Sequence, residues 1–267
     1  MIFLGIYREA MFSPGRVDDD AKILEATLSR LASRGHEVRT IHGEELDGDY
    51  LEVDCVLTMA ESKKALAVLE DWQRRGVRTI NDVRSVKSCR RAALFRLLPE
   101  AGLPVPEGMT LSVDEAERTV SFPRSRRYWL KRGDVHSVQP GDVVKVSTHA
   151  ELVAALGHFR RHGIEDIFVQ EHVEGESIKF YRVPGSRFFR AFCFSRNREE
   201  ITDRMGPLCA LADLAAQATG LEVFGGDAII TPAGEIFLID LNDWPSFASC
   251  RHAAAEQIAA YIGSSVE

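Results

Sequence analysis

The chain has 267 residues, 45% hydrophobic and 27% charged, with a formal net charge of −7. That is enough apolar content for a sizeable core, spread over two or three small, interlocked domains. An acidic balance with no block of five like charges lacks the basic face a nucleic acid requires, and no apolar run approaches the ~18 residues of a membrane span. The five cysteines (Cys55, Cys89, Cys193, Cys209, Cys250) are scattered and form no CxxC pair, so they read as reduced thiols, not as a disulfide framework or a zinc site. The apolar start, Met1 to Tyr7, lacks the basic stretch of a signal peptide. The expectation is a soluble, cytoplasmic protein with no nucleic-acid or membrane partner.

Residues 1–85 alternate strand and helix. Ile2–Tyr7 reads as a buried strand, followed by the turn-rich Phe12-Ser-Pro-Gly-Arg16. Asp18, Asp19 and Asp20 then open a helix, where acidic side chains oppose the helix dipole. Ile23, Leu24, Leu28 and Leu31 give that helix its apolar stripe, and Gly35 stops it. Residues 37–41, 54–59 and 77–80 are short strands, and an amphipathic helix over 62–76 carries Leu66, Leu69 and Trp72. Strand–helix repetition with short connections predicts a small parallel sheet covered by helices. A ligand in such a sheet binds at the carboxyl ends of the strands. Ser13 and Arg16 are therefore candidate contacts for an acidic co-substrate.

A basic helix is expected over 86–108, ending at Gly102 and followed by the extended connector Leu103-Pro-Val-Pro106. Strands follow at 127–131, Val143–Val146, 166–170 and 188–194, with a helix over 150–162 and another over 207–220. The chain closes with a hairpin, 227–230 and 236–241, turned by Thr231-Pro-Ala-Gly-Glu235, and a helix over 253–262.

Three constellations could carry chemistry. In Gly225-Gly226-Asp227 and Ile239-Asp240-Leu241-Asn242, side-chain alternation places Asp240 and Asn242 on one face, with Asp227 facing them across the hairpin. Three hard oxygen ligands of this kind suit Mg²⁺, which draws its remaining ligands from water and phosphate. Lys131 closes the apolar strand Tyr128-Trp-Leu-Lys131 ahead of a glycine turn, within reach of a phosphate. The segment Phe168-Val-Gln-Glu171-His-Val-Glu174-Gly175 breaks from strand into a short acidic linker, able to offer backbone hydrogen bonds to a base edge and a carboxylate to a ribose.

The order of these parts resembles the ATP-grasp superfamily over residues 81–265. The resemblance rests on Asn81 and the basic helix through Arg91, Gly102 to Pro106, Leu130-Lys131, Val169 to Gly175, Gly220-Leu221 with Gly226-Asp227, and Ile239 to Asn242. It implies an α/β and α+β architecture: a nucleotide-fold-like domain over 1–85, then an ATP-grasp domain over 86–267. Two lobes, about 105–175 and 176–267, would clamp ATP. It implies Lys131 on the α-phosphate, with Arg91 also on the nucleotide. Gln170, Glu171, His172 and Val173 would surround adenine, with Glu171 or Glu176 near the ribose and Lys179 close by, while Asp227, Asp240 and Asn242 hold Mg²⁺. The chain departs from many family ligases in carrying Asp240 where they have a glutamate, and in offering Arg90, Arg91 or Lys87 where they have a lysine. Its glycine-rich lid is reduced to Gly133-Asp-Val-His136.

Most members of this superfamily phosphorylate a carboxylate, after which an amine or thiol attacks. A minority phosphorylate a hydroxyl, and Asp240-x-Asn242 is as similar to the pair in the inositol phosphate kinases as to that in the glutamate ligases. The expectation is therefore an ATP- and Mg²⁺-dependent carboxylate–amine ligase, with a small-molecule kinase as the alternative. Lys179, Arg190 and Arg204 are the candidate catalytic cations, Arg182 and Arg251 further ones for an acidic substrate. A homodimer is compatible with all of this.

Overall fold

The computed structural model describes residues 1–13, 17–48, 52–123, 126–133, 140–202 and 205–266, with no side chains considered at 265 and 266. In it, three sheets lie in chain order. The first is parallel throughout, in the order β2-β1-β3-β4, from β1 (Ile2–Tyr7), β2 (Glu37–His42), β3 (Cys55–Thr58) and β4 (Arg78–Ile80). Alternation along its strands divides its core. Phe3, Cys55 and Leu57 face α1 (Val17–Ser33) and the C-terminal α8 (Arg251–Val266), whereas Leu4, Ile6 and Val56 face α2 (Lys63–Arg74). At Gly5 a Cβ would stand 2.5 Å from the Leu28 side chain, so the glycine sets how closely α1 approaches the sheet.

Residues 86–108 do not form the single helix expected. The chain makes α3 (Val83–Ser88), breaks, and restarts as α4 (Arg91–Glu100). Asp82 accepts the Ser85 N–H and caps the first piece; Arg90, in extended backbone, precedes the second. The second sheet is antiparallel, in the order β5-β8-β6-β7: β5 (Gly108–Ser112), β6 (Tyr128–Arg132), β7 (Val143–Val146) and β8 (Asp166–Glu171). One face buries Leu130, Val146, Ile167 and Val169 against α5 (Val113–Thr119) and α6 (His149–Arg161).

The third sheet, also antiparallel, runs β11-β10-β9-β12-β13: β9 (Glu176–Arg182), β10 (Phe189–Cys193), β11 (Glu199–Glu200), β12 (Phe224–Ile230) and β13 (Ile236–Asp243). Its buried face packs Ile178, Phe180, Ala191, Ala228 and Leu241 against α4 and α7 (Met205–Thr219). Thr231 and Gly234 close the β12–β13 turn at 2.8 Å, with Gly234 at φ 87°.

Two fully buried side chains tie the first sheet to the third. Asn81, just past β4, accepts the N–H groups of Glu222 (2.7 Å) and Val223 (2.9 Å) and donates to the Val223 carbonyl (2.8 Å). Trp244 donates its indole N–H to the Ile80 carbonyl at 2.7 Å. Arg8 adds a charged link, donating to the Asp243 carbonyl (3.1 Å) while paired with Glu61 and Asp20, both at 3.0 Å. Removing the Asn81 amide strands two donors and an acceptor in the interior, and each buried unsatisfied group costs about 1–3 kcal/mol. Asn81→Ala should therefore lower unfolding stability by at least about 2 kcal/mol in denaturant titrations; a loss below about 0.5 kcal/mol would show that water replaces the amide.

Candidate functional site

Register on the third sheet gathers the polar residues. Asp227 lies opposite Lys179 on β9 and Asp240 on β13; Gly225 lies opposite Tyr181 and Asn242. On β10, Phe192 lies opposite Lys179 and Arg190 opposite Tyr181. Opposed residues in an antiparallel pair share a face, so one face carries Lys179, Asp227, Asp240, Asn242 and Arg190, while the other is apolar core. A bulge between Asp227 and Ala228 is essential to this. Extending the Ala228–Leu238 pairing by one residue would set Ile239 opposite Asp227; the register shift sets Asp240 there instead. Re-aiming one side chain is what bulges do beside active sites.

The second sheet presents its own polar face. Lys131 pairs with Phe168 and Val143, and Trp129 with Gln170 and Lys145, so Lys131, Lys145, Gln170 and Trp129 share the side opposite the α5–α6 core. Lys131 is 5% exposed and its ammonium stands 6.0 Å from the Phe95 ring on α4. Loss of water pulls its pKa down to about 8, with Asp240 and Asp227 pulling up and Arg91 pushing further down. Arg91, also buried, donates to the Arg132 carbonyl at 2.6 Å and stands 4.0 Å from Asp240. Arg91 thus reaches Asp240 of the third sheet, and Lys131 lies within electrostatic reach of Asp240 and Asp227. Lys179 is bonded to Asp227 at 3.1 Å.

At the end of β8, Gln170 is 1% exposed and its amide nitrogen has no hydrogen-bond partner among the described residues. The backbone N–H groups of Glu171 and His172 are already spent on the Glu107 and Arg127 carbonyls. His172 accepts the Trp129 indole N–H at 3.0 Å and touches the Lys145 ammonium at 3.0 Å; burial, then Lys145, lower its pKa. Glu171 lies 3.5 Å from Arg126. Val173 follows, half-buried, outside any strand.

Other expected residues go elsewhere. Glu176 shares parity with Ile178, on the face away from Lys179, and is bonded to Arg196 at 2.9 Å. Arg182 is consumed structurally, gripping Asp213 at 2.7 Å and three carbonyls. Arg190 lies on the polar face but is paired with Glu200 at 3.1 Å. Arg251 donates to the Ser246 and Asp19 carbonyls. The Ser13 hydroxyl is bonded to Asp20, in a cavity of about 310 Å³ lined by Asp18, Asp20 and Glu25 and by Arg8 and His42, with Arg8 already paired with Asp20 and Glu61. Arg16, Arg204 and Asp134 to His136 lie outside the described residues. Lys145 and Trp129 were missed; their signal was the pairing of two apolar strands, visible only once register is known.

Among the described residues no group of three or more His, Cys, Asp or Glu is arranged to hold a metal by itself. Asp227, Asp240 and Asn242 offer two carboxylates and an amide oxygen. That set fits an ion such as Mg²⁺, which takes one or two carboxylates and fills its shell with phosphate oxygens and water.

The unpartnered Gln170 amide is a stability cost on the polar face of the second sheet. Gln170→Met, of similar volume, should keep or raise thermal stability, by up to about 2 kcal/mol, since no bond to that nitrogen is lost. A loss above about 1 kcal/mol would mean the amide is satisfied.

No protein-family model and no curated protein matches the sequence. Solved structures do match. D-alanyl-alanine synthetase A from Vibrio cholerae is 11% identical, with 100% of this chain and 97% of that one covered at a TM-score of 0.75. A RimK domain ATP-grasp protein from Sphaerobacter thermophilus is 19% identical, over 97% and 99%, at 0.72. The D-alanine–D-alanine ligase from Bacillus anthracis complexed with ATP is 14% identical, over 100% and 97%, at 0.74. At such identities the likeness is one of architecture, and it is complete over the chain: this protein has the ATP-grasp fold.

Proposed function

We propose that the chain binds ATP with magnesium between its second and third sheets and uses it to activate a small-molecule carboxylate as an acyl phosphate for attack by an amine. One observation carries this reading: a buried lysine on one sheet lies within electrostatic reach of two partly exposed carboxylates on the other, and a buried arginine beside it stands 4.0 Å from one of them. A desolvated cluster of both signs is a costly way to join two sheets and a suitable way to bind a polyphosphate with its metal. The lobes would be residues 105–175 and 176–267, with adenine beside Gln170 and the segment to Val173, where an unpartnered amide nitrogen waits. Solved ligases of the same fold, one complexed with ATP, support the reaction class.

In this reading Lys131 and Arg91 neutralise and orient the phosphates. Asp227, Asp240 and Asn242 would hold Mg²⁺, whose charge offsets that developing on the transferred phosphoryl group. Lys179 lies where the acceptor carboxylate would enter, with Arg190 further along the same face; Lys179's charge is partly answered by Asp227 until a second anion arrives. No nucleophilic serine or cysteine is required, and the buried Cys89 thiol, its pKa pushed up by loss of water, is not one.

Asp240→Asn should abolish ADP formation while leaving the melting temperature near wild type; unchanged turnover would sink the assignment. Lys131→Met should weaken nucleotide binding by about 1–3 kcal/mol in calorimetry, the range for losing a charged hydrogen bond, and equal affinities would remove Lys131 from the phosphates. Product analysis separates the two reactions: an amide with ADP and phosphate supports the ligase, whereas a stable phosphorylated alcohol would replace it with a kinase.

A further inference from the structure

The turn between β10 and β11 contains a residue out of place. Glu199 donates its N–H to the Arg196 carbonyl at 3.0 Å, and the two residues between them have φ of 51° (Asn197) and 61° (Arg198). Both central positions are left-handed, as in the hairpin turns whose preferred sequence is Asn-Gly. Asn197 conforms. Arg198 occupies the position where glycine would carry no steric strain, and a strained residue that persists is a reason to look for a use of its side chain.

That side chain lies over a ring. The Arg198 guanidinium carbon is 5.6 Å from the Phe194 ring centroid, within cation–π range, and among the described residues no carboxylate pairs with it. Phe194 is itself 43% exposed, an apolar ring left in water. Both line a cavity of about 510 Å³ that continues to Phe192, Lys179 and Asp227 on the polar face of the third sheet, with Ser249 across from them. Its volume is that of a small-molecule site. The charges in it are not equivalent: Lys179 is answered by Asp227, and Asp19, which also lines the cavity, by Lys22 and Arg251, whereas among the described residues Arg198 is answered by nothing but a ring. Phe194 donates its N–H to the carbonyl of Ser177, two residues before Lys179 on β9, which sets Arg198's end of the cavity about 7 Å along the strand from Lys179.

We infer that Arg198 and Phe194 form the subsite that selects the co-substrate. The guanidinium takes a carboxylate, for which its planar fork is suited, and Phe194 with Phe192 takes a flat apolar group next to that carboxylate. This rests on the reading that the Lys179–Asp227 face is where the co-substrate meets ATP. It adds the chemistry of the far end: an aryl body ending in an anion.

The test uses the full chain without nucleotide and three probes, followed by ligand-observed NMR titration: 3-phenylpropionate, its uncharged amide 3-phenylpropanamide, and propionate. Saturable binding of 3-phenylpropionate, with the other two at least tenfold weaker, is the expected result. Arg198→Gly suits the left-handed turn, so its melting temperature should equal or exceed wild type while 3-phenylpropionate binding falls at least tenfold; Arg198→Lys should recover part of it. Equal binding of the acid and its amide, wild-type binding by Arg198→Gly, or no saturable binding of any probe would each overturn the subsite. Titration with MgATP distinguishes the two readings. Arg198→Gly should bind nucleotide as wild type does, and failure of wild type to bind MgATP would remove the ATP reading while the three-probe result still decides the anion subsite.

Discussion

A lysine ammonium stripped of water needs negative charge within reach, and here that charge is supplied by a different sheet. Lys131 lies one residue before the end of β6 in the second sheet, while Asp240 and Asp227 belong to the third. The second sheet alone would leave Lys131 a lone desolvated charge, which costs several kcal/mol and favours its neutral form; Asp227 and Asp240 are only partly buried, and Asp227 is also paired with Lys179 of its own sheet. α4 stands at the floor of the cleft between the sheets, lending Arg91 to the carboxylates and Phe95 to Lys131 and to the Phe168 ring, which it stacks at 4.3 Å.

Holding those charges opposite one another constrains much of the remainder. The β12–β13 bulge sets Asp240, not Ile239, across from Asp227. β13 ends at Asp243 and Trp244 follows; the backbone of the first is held by Arg8, just past β1, and the indole of the second by Ile80 of β4. The N-terminal sheet thus does more than precede the cleft: it fixes the end of the strand that bears Asp240 and Asn242. Asn81 fixes the start of β12 in the same way.

Much of this was legible in the sequence, because alternation and turn chemistry are local. The Pro232–Gly234 turn and the period-2 pattern of its strands were enough to bring Asp227 near Asp240, although the bulge that sets the two directly opposite has no local signal, and three aspartates with a leucine stripe marked α1. What escaped depended on partners distant in sequence. β9 was hidden because Glu176, Lys179 and Arg182 made it look like charged linker; Arg182 is in fact buried by Asp213, thirty-one residues on. The same blindness made Arg182 and Arg251 look available for substrate. The restart of α4 at Arg91 has no proline or glycine to announce it. α5 had a signal, Ser112 capping with Glu115, masked by the preceding proline-rich connector.

The central claim is that nucleotide phosphates occupy the space between Lys131 and the aspartates, together with a metal. Isothermal titration of the full chain with a non-hydrolysable ATP analogue, with and without Mg²⁺, addresses it most directly. The account predicts one nucleotide per chain and binding at least tenfold tighter with Mg²⁺, because the two carboxylates repel bare phosphates and attract them through the ion. Absence of saturable binding, or an affinity indifferent to Mg²⁺, would contradict it.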